Sequence, residues 1–268
     1  MATRGRTRRG DGAGLGPRLK GKVAFITGAG RGMGREGALL FAGHGAKIVV
    51  ADIDRAAAAE TVALIKEEGG VALATIGDVA AEADVKRMIA EGVRAFGALH
   101  ILYNNAGVLW KDRDRSVTET EEASWDRVIA INLKSVFLVA KHGIPHLRKA
   151  GGGSIINVGS VSALAGFTRA QDAYTSAKGA LISLTKSLAI QFAKDGIRCN
   201  IIHPGIVDTP MQAPHLTAAL RREFEASIPL GRIAHPREIA CAALFLASEE
   251  SSFMTGAELV VDGGFTAQ

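Results

Sequence analysis

The residues of this chain best suited to chemistry are a tyrosine, a lysine and a serine. Tyr174, one of only two tyrosines, begins the run Tyr174-Thr175-Ser176-Ala177-Lys178 inside an amphipathic stretch. Helix positions i and i+4 share a face, so phenol and ammonium become neighbours. A nearby cation favours phenolate and draws a pKa of about 10 toward working pH. Tyr174 could then give a proton to a carbonyl oxygen or take one from an alcohol. Tyr-x-x-x-Lys by itself is equally the mark of an ordinary surface pair. Upstream, Ile155-Ile156-Asn157-Val158-Gly159-Ser160-Val161-Ser162 reads as an apolar strand running out into hydroxyls. A serine there can hydrogen-bond a substrate oxygen, although capping and loop serines look the same in sequence.

A second group of residues is suited to holding a phosphate. The run Thr27-Gly28-Ala29-Gly30-Arg31-Gly32-Met33-Gly34 lies between an apolar strand and a helical pattern. Glycines at such a turn let the backbone approach a pyrophosphate, and the helix N-terminus adds N–H donors and the positive end of its dipole. The literal G-x-G-x-x-G match, at Gly32, Gly34 and Gly37, starts too far beyond the strand, so Thr-Gly-x-x-x-Gly-x-Gly is the better description. The next strand ends at Asp52, about 20 residues on, where an acid meets the adenosine ribose of a dinucleotide. A carboxylate there accepts from a 2′-hydroxyl and repels a 2′-phosphate, which favours NAD over NADP. Arg31 points the other way, because a guanidinium beside the loop could bind that phosphate.

These residues need a scaffold. Short β-branched runs at Val23–Thr27, Lys47–Ala51, Ala72–Ile76, Ile101–Tyr103, Ser154–Val158, Arg198–Ile202 and Glu258–Val261 alternate with helical patterns. The clearest helical stretches are Ala56–Glu68, Glu82–Phe96, Trp125–Arg148, Ala173–Lys194 and Pro236–Ala247. Near-continuous apolar strands with helices between them predict a parallel sheet covered on both faces, a doubly wound α/β fold of about seven strands. Leu109–Glu122 and Pro210–Pro229 look irregular and follow strands, at the edge where such sheets bind ligands. No linker or repeat divides residues 20–268, which predicts one domain.

With 268 residues, 47% hydrophobic and 22% charged, the chain has material for a sizeable core, which excludes disordered, collagenous and disulfide-framework proteins. Two cysteines, Cys199 and Cys241, cannot build a disulfide scaffold; both lie in apolar patterns that read as core, and a reducing cytoplasm is expected. The first residues carry no apolar signal core, and no apolar run reaches the roughly 18 residues of a membrane span. The net charge of +5 is confined to the start: residues 1–20 hold six bases and one acid, and the rest carries 26 of each. Residues 1–19 therefore read as a basic Gly/Arg-rich solvated arm, with no nucleic-acid-binding face on the domain. His142 and His146 stand four apart, but no carboxylate or cysteine joins them at ligand spacing and Pro145 is expected to break the helix between them, so no metal site is expected. Asp112, Arg113, Asp114 and Arg115 read as a solvated loop, and Trp110 as either pocket or core.

Taken together, Thr27–Gly34, Asp78-Val79, Asn104-Asn105-Ala106-Gly107, Asn132, Ser160, Tyr174 with Lys178, Asn200, Pro204-Gly205 and Asp262-Gly263-Gly264 resemble the short-chain dehydrogenase/reductase family, in its single-domain branch with nicotinamide cofactors. The resemblance covers nearly all of residues 20–268 and implies a Rossmann-type fold and oxidation or reduction at a CH–OH group. It implies that Gly28, Arg31, Gly32, Met33 and Gly34 wrap the adenosine and pyrophosphate, with Asp52 and Ile53 at the ribose and Asp78 and Val79 at the adenine. Asn105, Ala106 and Gly107 would line the cofactor, while Pro204, Gly205, Val207 and Thr209 would fix its carboxamide. Ser160 would orient the substrate oxygen, Tyr174 exchange the proton, and Lys178 hold the ribose and depress the tyrosine pKa. Asn132 would anchor a water linking Lys178 to solvent. From Ser160 to Tyr174 the chain counts 14 positions where many relatives have 13, which puts the extra residue within Phe167–Asp172.

The resulting expectation is an NAD-dependent oxidoreductase interconverting a secondary alcohol and a ketone, assembled as a homotetramer by family habit. An NADPH-dependent ketoreductase of the 3-oxoacyl type and a non-catalytic NAD(H)-binding protein are the alternatives. Phe167, Gln171, Met211 and the helix-like Thr217–Glu225 are the expected pocket residues. Their mostly apolar character implies a neutral cyclic or aliphatic alcohol.

Overall fold

The computed structural model describes residues 16–213 and 216–268. The stretch 1–15, and with it most of the basic arm, lies outside the described residues. Seven strands form one parallel sheet: β1 (Val23–Thr27), β2 (Lys47–Asp52), β3 (Val71–Ile76), β4 (Ile101–Asn104), β5 (Gly153–Val158), β6 (Ile197–Pro204) and β7 (Glu258–Val261). All seven expected strands are present. Their order is β3-β2-β1-β4-β5-β6-β7. The chain starts in the middle, works outward to β3, crosses back to β4 beside β1, and works outward again to β7. That reversal leaves a crevice at the carboxyl ends of β1 and β4, where the glycine loop and the Asn-Asn-Ala-Gly turn emerge.

Burial explains why the central strands are mostly apolar, with Ser154 and Asn157 buried only because each hydrogen-bonds a partner. Every residue of β1 is buried, and Phe25 and Ile26 are fully so; each such side chain stabilises the fold by about 1.5–3 kcal/mol. Edge strand β7 instead alternates exposed and half-buried residues. On one face, α1 (Gly32–Gly43), α2 (Arg55–Glu67) and α8 (Pro236–Ala247) pack through Phe41, Ile65 and Leu244. The other face carries α3 (Glu82–Phe96), α5 (Ser135–Lys149) and α6 (Asp172–Phe192), packed through Met88, Leu138 and Leu188. In α3, Val85, Met88, Ile89 and Gly92 make one buried stripe, and Gly97 ends the helix in the left-handed conformation at φ 82°. Pro236 and a His235/Glu238 capping box start α8.

Several expectations are corrected. The core reaches back to Leu19, fully buried with its N–H on the His44 carbonyl at 2.9 Å, so the folded part begins before Lys20. Pro145 lies inside α5 without ending it; Ile144 and Leu147, both buried, carry the turn across the missing N–H. Cys241 is exposed on the outer side of α8, whereas Cys199 is buried as expected. The stretch Glu122–Lys149 is 28 residues long and apolar enough to cross a membrane by composition. More than half of its most apolar window is buried within the protein, as a core helix would be.

Candidate active site

The glycine loop owes its shape to contacts that only glycine permits. Gly28 and Gly32 take φ of 63° and 55°, a region strained for any side chain. A Cβ on Gly34 would collide with the Gly28 carbonyl and the Asn105 amide, so α1 lies directly beneath the turn. Asn105 ties the loop to the β4 turn by donating Nδ2–H to the Thr27 and Gly28 carbonyls at 3.0 and 3.1 Å. In return the Thr27 hydroxyl accepts from the Asn105 and Ala106 N–H groups. The first turn of α1 has neither a side-chain cap nor an acidic residue. Its N–H donors are therefore left to an anion from outside.

The end of β2 is equally fixed. Asp52 Oδ2 accepts from the Gly30 N–H at 2.8 Å and Oδ1 from the Asp54 N–H at 2.9 Å. Each oxygen keeps a further lone pair. Arg31 does not stand free: its Nη2 pairs with Asp54 Oδ2 at 2.8 Å. Asp78 is held by Arg127 Nη2 at 2.7 Å and by the Ala80 N–H at 2.9 Å. Gly28, Arg31, Gly32, Met33, Asp52, Ile53, Asp78, Val79, Asn105, Ala106 and Gly107 line one cleft of about 550 Å³. Trp110 is on its wall, with the Arg113 guanidinium 5.6 Å from the ring centroid, which places it in a pocket and not in the core. Gly34 lies below the cleft as packing support. A glycine cradle, an uncapped helix start and a ribose-side carboxylate are the donor and acceptor set a dinucleotide needs, so the residues fit a nicotinamide cofactor.

A second cavity, of about 460 Å³, adjoins the first through Met33, Asn105, Gly107, Thr209 and Met211. Its lining includes Asn132, Ser160, Tyr174 and Lys178, with Pro204, Gly205, Val207 and Thr209 beyond β6. Lys178 is nearly fully buried; its Nζ donates to the Val158 carbonyl at 2.7 Å and lies 5.5 Å from the Tyr174 ring centroid. Burial lowers its pKa to about 8. Burial also raises the Tyr174 phenol, with the neighbouring Ser160 hydroxyl acting in the opposite sense. The phenol thus stands above its ordinary value, and the depression expected from Lys178 is not seen. Ser160 Oγ accepts from the Ser162 N–H at 3.1 Å, and Ser162 Oγ accepts from Gln171 at 2.8 Å. Of the two serines, then, Ser160 is the one set beside the phenol.

Asn132 sits in a π-turn, Ala130–Lys134, between α4 (Glu122–Ile129) and α5. Sequence periodicity reads this whole stretch as one regular helix. The widened turn lets its side chain grip the β4 loop: Nδ2 donates to the Val108 carbonyl at 3.0 Å and Oδ1 accepts from the Val108 N–H at 3.2 Å. A Cβ on Gly107 would meet Asn132 Oδ1 at 2.8 Å and Lys178 Nζ at 3.6 Å, so glycine is what brings these two side chains close.

Sequence reading missed one positioning residue. Asp114, expected in a solvated loop, is fully buried. Its carboxylate accepts from the Ala173 N–H at 2.9 Å and the Tyr174 N–H at 2.8 Å. It thereby caps the first turn of α6 from a distant loop and favourably meets the helix dipole. The alternating charges around it gave no signal, because a capping acid from another segment has no sequence spacing. Asp114→Ala would leave two buried donors without partners and is expected to cost about 2–4 kcal/mol by denaturant unfolding. Asp114→Asn keeps one acceptor and should fall between it and the native protein.

The outer walls of the second cavity are Phe167, stacked on Phe265 at 5.6 Å, together with Leu109, Met211, Leu220 and Phe224. Phe167, Gln171, Met211 and part of α7 (Ala218–Ser227) line it as expected. Lys111 and Arg169, which are not among the expected pocket residues, line it too, as does Glu223 of α7. His142 Nε2 meets Glu82 Oε1 at 3.0 Å, a carboxylate that sequence spacing could not reveal. Among the described residues no three His, Cys, Asp or Glu side chains are grouped as metal ligands.

The chain is similar to known proteins along nearly its whole length. A family model described as enoyl-(acyl carrier protein) reductase matches residues 28–266. The chain is 40% identical to a cyclohexanol dehydrogenase of Acinetobacter sp., over 94% of its length and 97% of that protein. It is 43% identical to a trans-4-hydroxycyclohexanecarboxylate dehydrogenase of Sinomonas cyclohexanicum, covering 93% of this chain and 95% of the relative. The crystal structure of a candidate short-chain dehydrogenase/reductase from Burkholderia xenovorans superposes with a TM-score of 0.87 at 37% identity, over 94% of this chain and 98% of that one.

Proposed function

The chain belongs to the short-chain dehydrogenase/reductase family, NAD(P)-using oxidoreductases that act on CH–OH groups, and we propose that it interconverts a cyclic secondary alcohol and its ketone with NAD. The observation that carries this reading is the meeting of Ser160, Tyr174 and Lys178 in one cavity that opens into the glycine-loop cleft. The ring-bearing substrates named for the two relatives support the cyclic alcohol. The cofactor choice rests on Asp52, pinned with lone pairs to spare, and on the Arg31–Asp54 pair, which leaves that guanidinium engaged. NAD, when bound, supplies the hydride acceptor, and NADH the donor.

The chain's own residues handle the proton and the oxygen. Ser160 hydrogen-bonds the substrate oxygen, and Tyr174 takes its proton in oxidation or returns one in reduction. Lys178 holds the ribose end of the cofactor and sets a positive charge beside the phenol. Asn132 and Gly107 keep the path around that ammonium narrow, the place for a water connecting it to solvent. Phe167, Phe265 and Phe224 exclude bulk water from the reacting oxygen.

The pH dependence has a definite sign. Because burial raises Tyr174, the phenol is protonated at neutral pH, which is the form reduction needs. Rising pH increases the phenolate that oxidation needs. Oxidative kcat/KM is therefore expected to rise between pH 6 and 8, while reductive kcat/KM stays level across the same range. Initial rates in both directions across that range check this; parallel profiles would contradict a proton exchanged at Tyr174.

The same reading carries a homotetramer, supported by exposed Phe253 and Ile190 and by the half-exposed edge of β7. A cytoplasmic setting is supported by two cysteines left as free thiols.

A further inference from the structure

Two loops deliver unexpected charge to the substrate cavity. Lys111 comes from the irregular segment after β4, and Arg169 from the stretch 167–172 that holds the extra residue before Tyr174. Both line the same cavity as Ser160 and Tyr174. Their partners differ. Arg169 Nη2 donates to both carboxylate oxygens of Glu223, at 3.2 and 3.0 Å, on α7 across the cavity mouth. Lys111 Nζ donates to Gln212 Oε1 at 2.7 Å, a neutral amide. Among the described residues no carboxylate pairs with it. The three charged groups on the outer wall thus sum to one positive charge, and that charge is Lys111.

A half-buried ammonium without a counter-ion is costly unless something else supplies the anion. Burial and the nearby Arg169 both lower the Lys111 pKa, so its charged form gains from a neighbouring anion. A surface lysine would turn outward into water; this one is instead held to the Gln212 amide at the cavity wall. The rest of the wall offers a ring-shaped substrate apolar contact from Phe167, Phe224 and Leu109.

We propose that Lys111, oriented by Gln212, is an anion subsite, and that the substrate is a cyclic hydroxy acid whose carboxylate binds there while its hydroxyl reaches Ser160 and Tyr174. This rests on the dehydrogenase reading above and deepens it. Lys111 acts as a specificity residue and takes no part in the proton or hydride steps. Carboxylate recognition by a single ammonium is not bidentate, so Lys111→Arg should keep part of the preference and Lys111→Gln should lose it.

The test compares 4-hydroxycyclohexane-1-carboxylate with its uncharged methyl ester, using the full chain with NAD. The native protein should favour the acid in kcat/KM by about 10–100-fold, the worth of one charge-assisted hydrogen bond. Lys111→Gln should reduce kcat/KM for the acid by about that factor more than for the ester, mostly through KM. Equal losses for both substrates, or a native preference for the ester, would overturn the subsite. Calorimetric binding of cyclohexanecarboxylate, which has no hydroxyl to oxidise, separates the two readings. If the native protein with NADH binds it and Lys111→Gln does not, the subsite stands even where no alcohol is turned over, and only the dehydrogenase reading fails. Turnover of neutral cyclic alcohols without carboxylate binding would leave the dehydrogenase reading and remove the subsite.

Discussion

Tyr174→Phe is expected to lower kcat by about 10²–10⁴-fold in both directions, the usual worth of a positioned general acid or base. The substitution removes one oxygen and little else. The ring stays near Lys178, where the ammonium lies 5.5 Å from its centroid, and the backbone N–H stays bonded to Asp114. Stability should therefore change by less than about 1 kcal/mol, the range of substitutions that create neither a cavity nor a lost cap. NADH binding, followed by its fluorescence, should persist, because the glycine-loop contacts are untouched. Steady-state rates and binding on one preparation separate a chemical loss from a binding loss. Retained turnover in the variant would move the proton-transfer role to another group.

Asp52→Ala should have the next largest effect, on cofactor choice. The carboxylate sits at the end of β2 with each oxygen already accepting one backbone N–H, from Gly30 and from Asp54. Those bonds fix the direction of the remaining lone pairs, which are free for two ribose hydroxyls. Losing charge-assisted hydrogen bonds of this kind costs about 1.5–3 kcal/mol, so KM for NAD should rise about 10–100-fold. Removing the negative charge also ends its repulsion of a 2′-phosphate, and KM for NADP should fall or stay level. Gly30 loses an anchor as well, so the melting temperature should be measured beside the kinetics. A native preference for NADP, or a variant whose two KM values move together, would contradict the role given to Asp52.

Much of the fold is legible because a doubly wound sheet states itself in period and order. Strands such as Val23–Thr27, buried on both faces, must be largely apolar, and Gly97 or Pro236 punctuates the helices between them. Several site residues are legible for a related reason: a glycine loop, an acid at the next strand end and an i,i+4 Tyr–Lys pair are local patterns. What stays hidden depends on distance. Asp114 caps a helix that begins 58 residues later, at Asp172, and a sequence window sees only one acid among alternating charges. The π-turn at Asn132 has the same apolar spacing as the helix around it, since one inserted residue in the hydrogen-bond ladder leaves composition unchanged. Cys241 looks like core because α8 is apolar on more than its buried side. The charge of the substrate cavity was missed for the most consequential reason. Lys111, Arg169 and Glu223 come from three separate segments, and only the folded chain shows that Arg169 meets the Glu223 carboxylate while Lys111 meets the Gln212 amide.

The proposed reaction moves a hydride from an alcohol carbon to the nicotinamide, with the proton going to Tyr174. The most direct test supplies NAD and a cyclic secondary alcohol deuterated at the carbinol carbon, and weighs the reduced cofactor by mass spectrometry. The expected result is NADH carrying one deuterium, formed by the native protein and essentially lost in Tyr174→Phe. Unlabelled NADH, or no NADH from a sample that binds the cofactor, would contradict it.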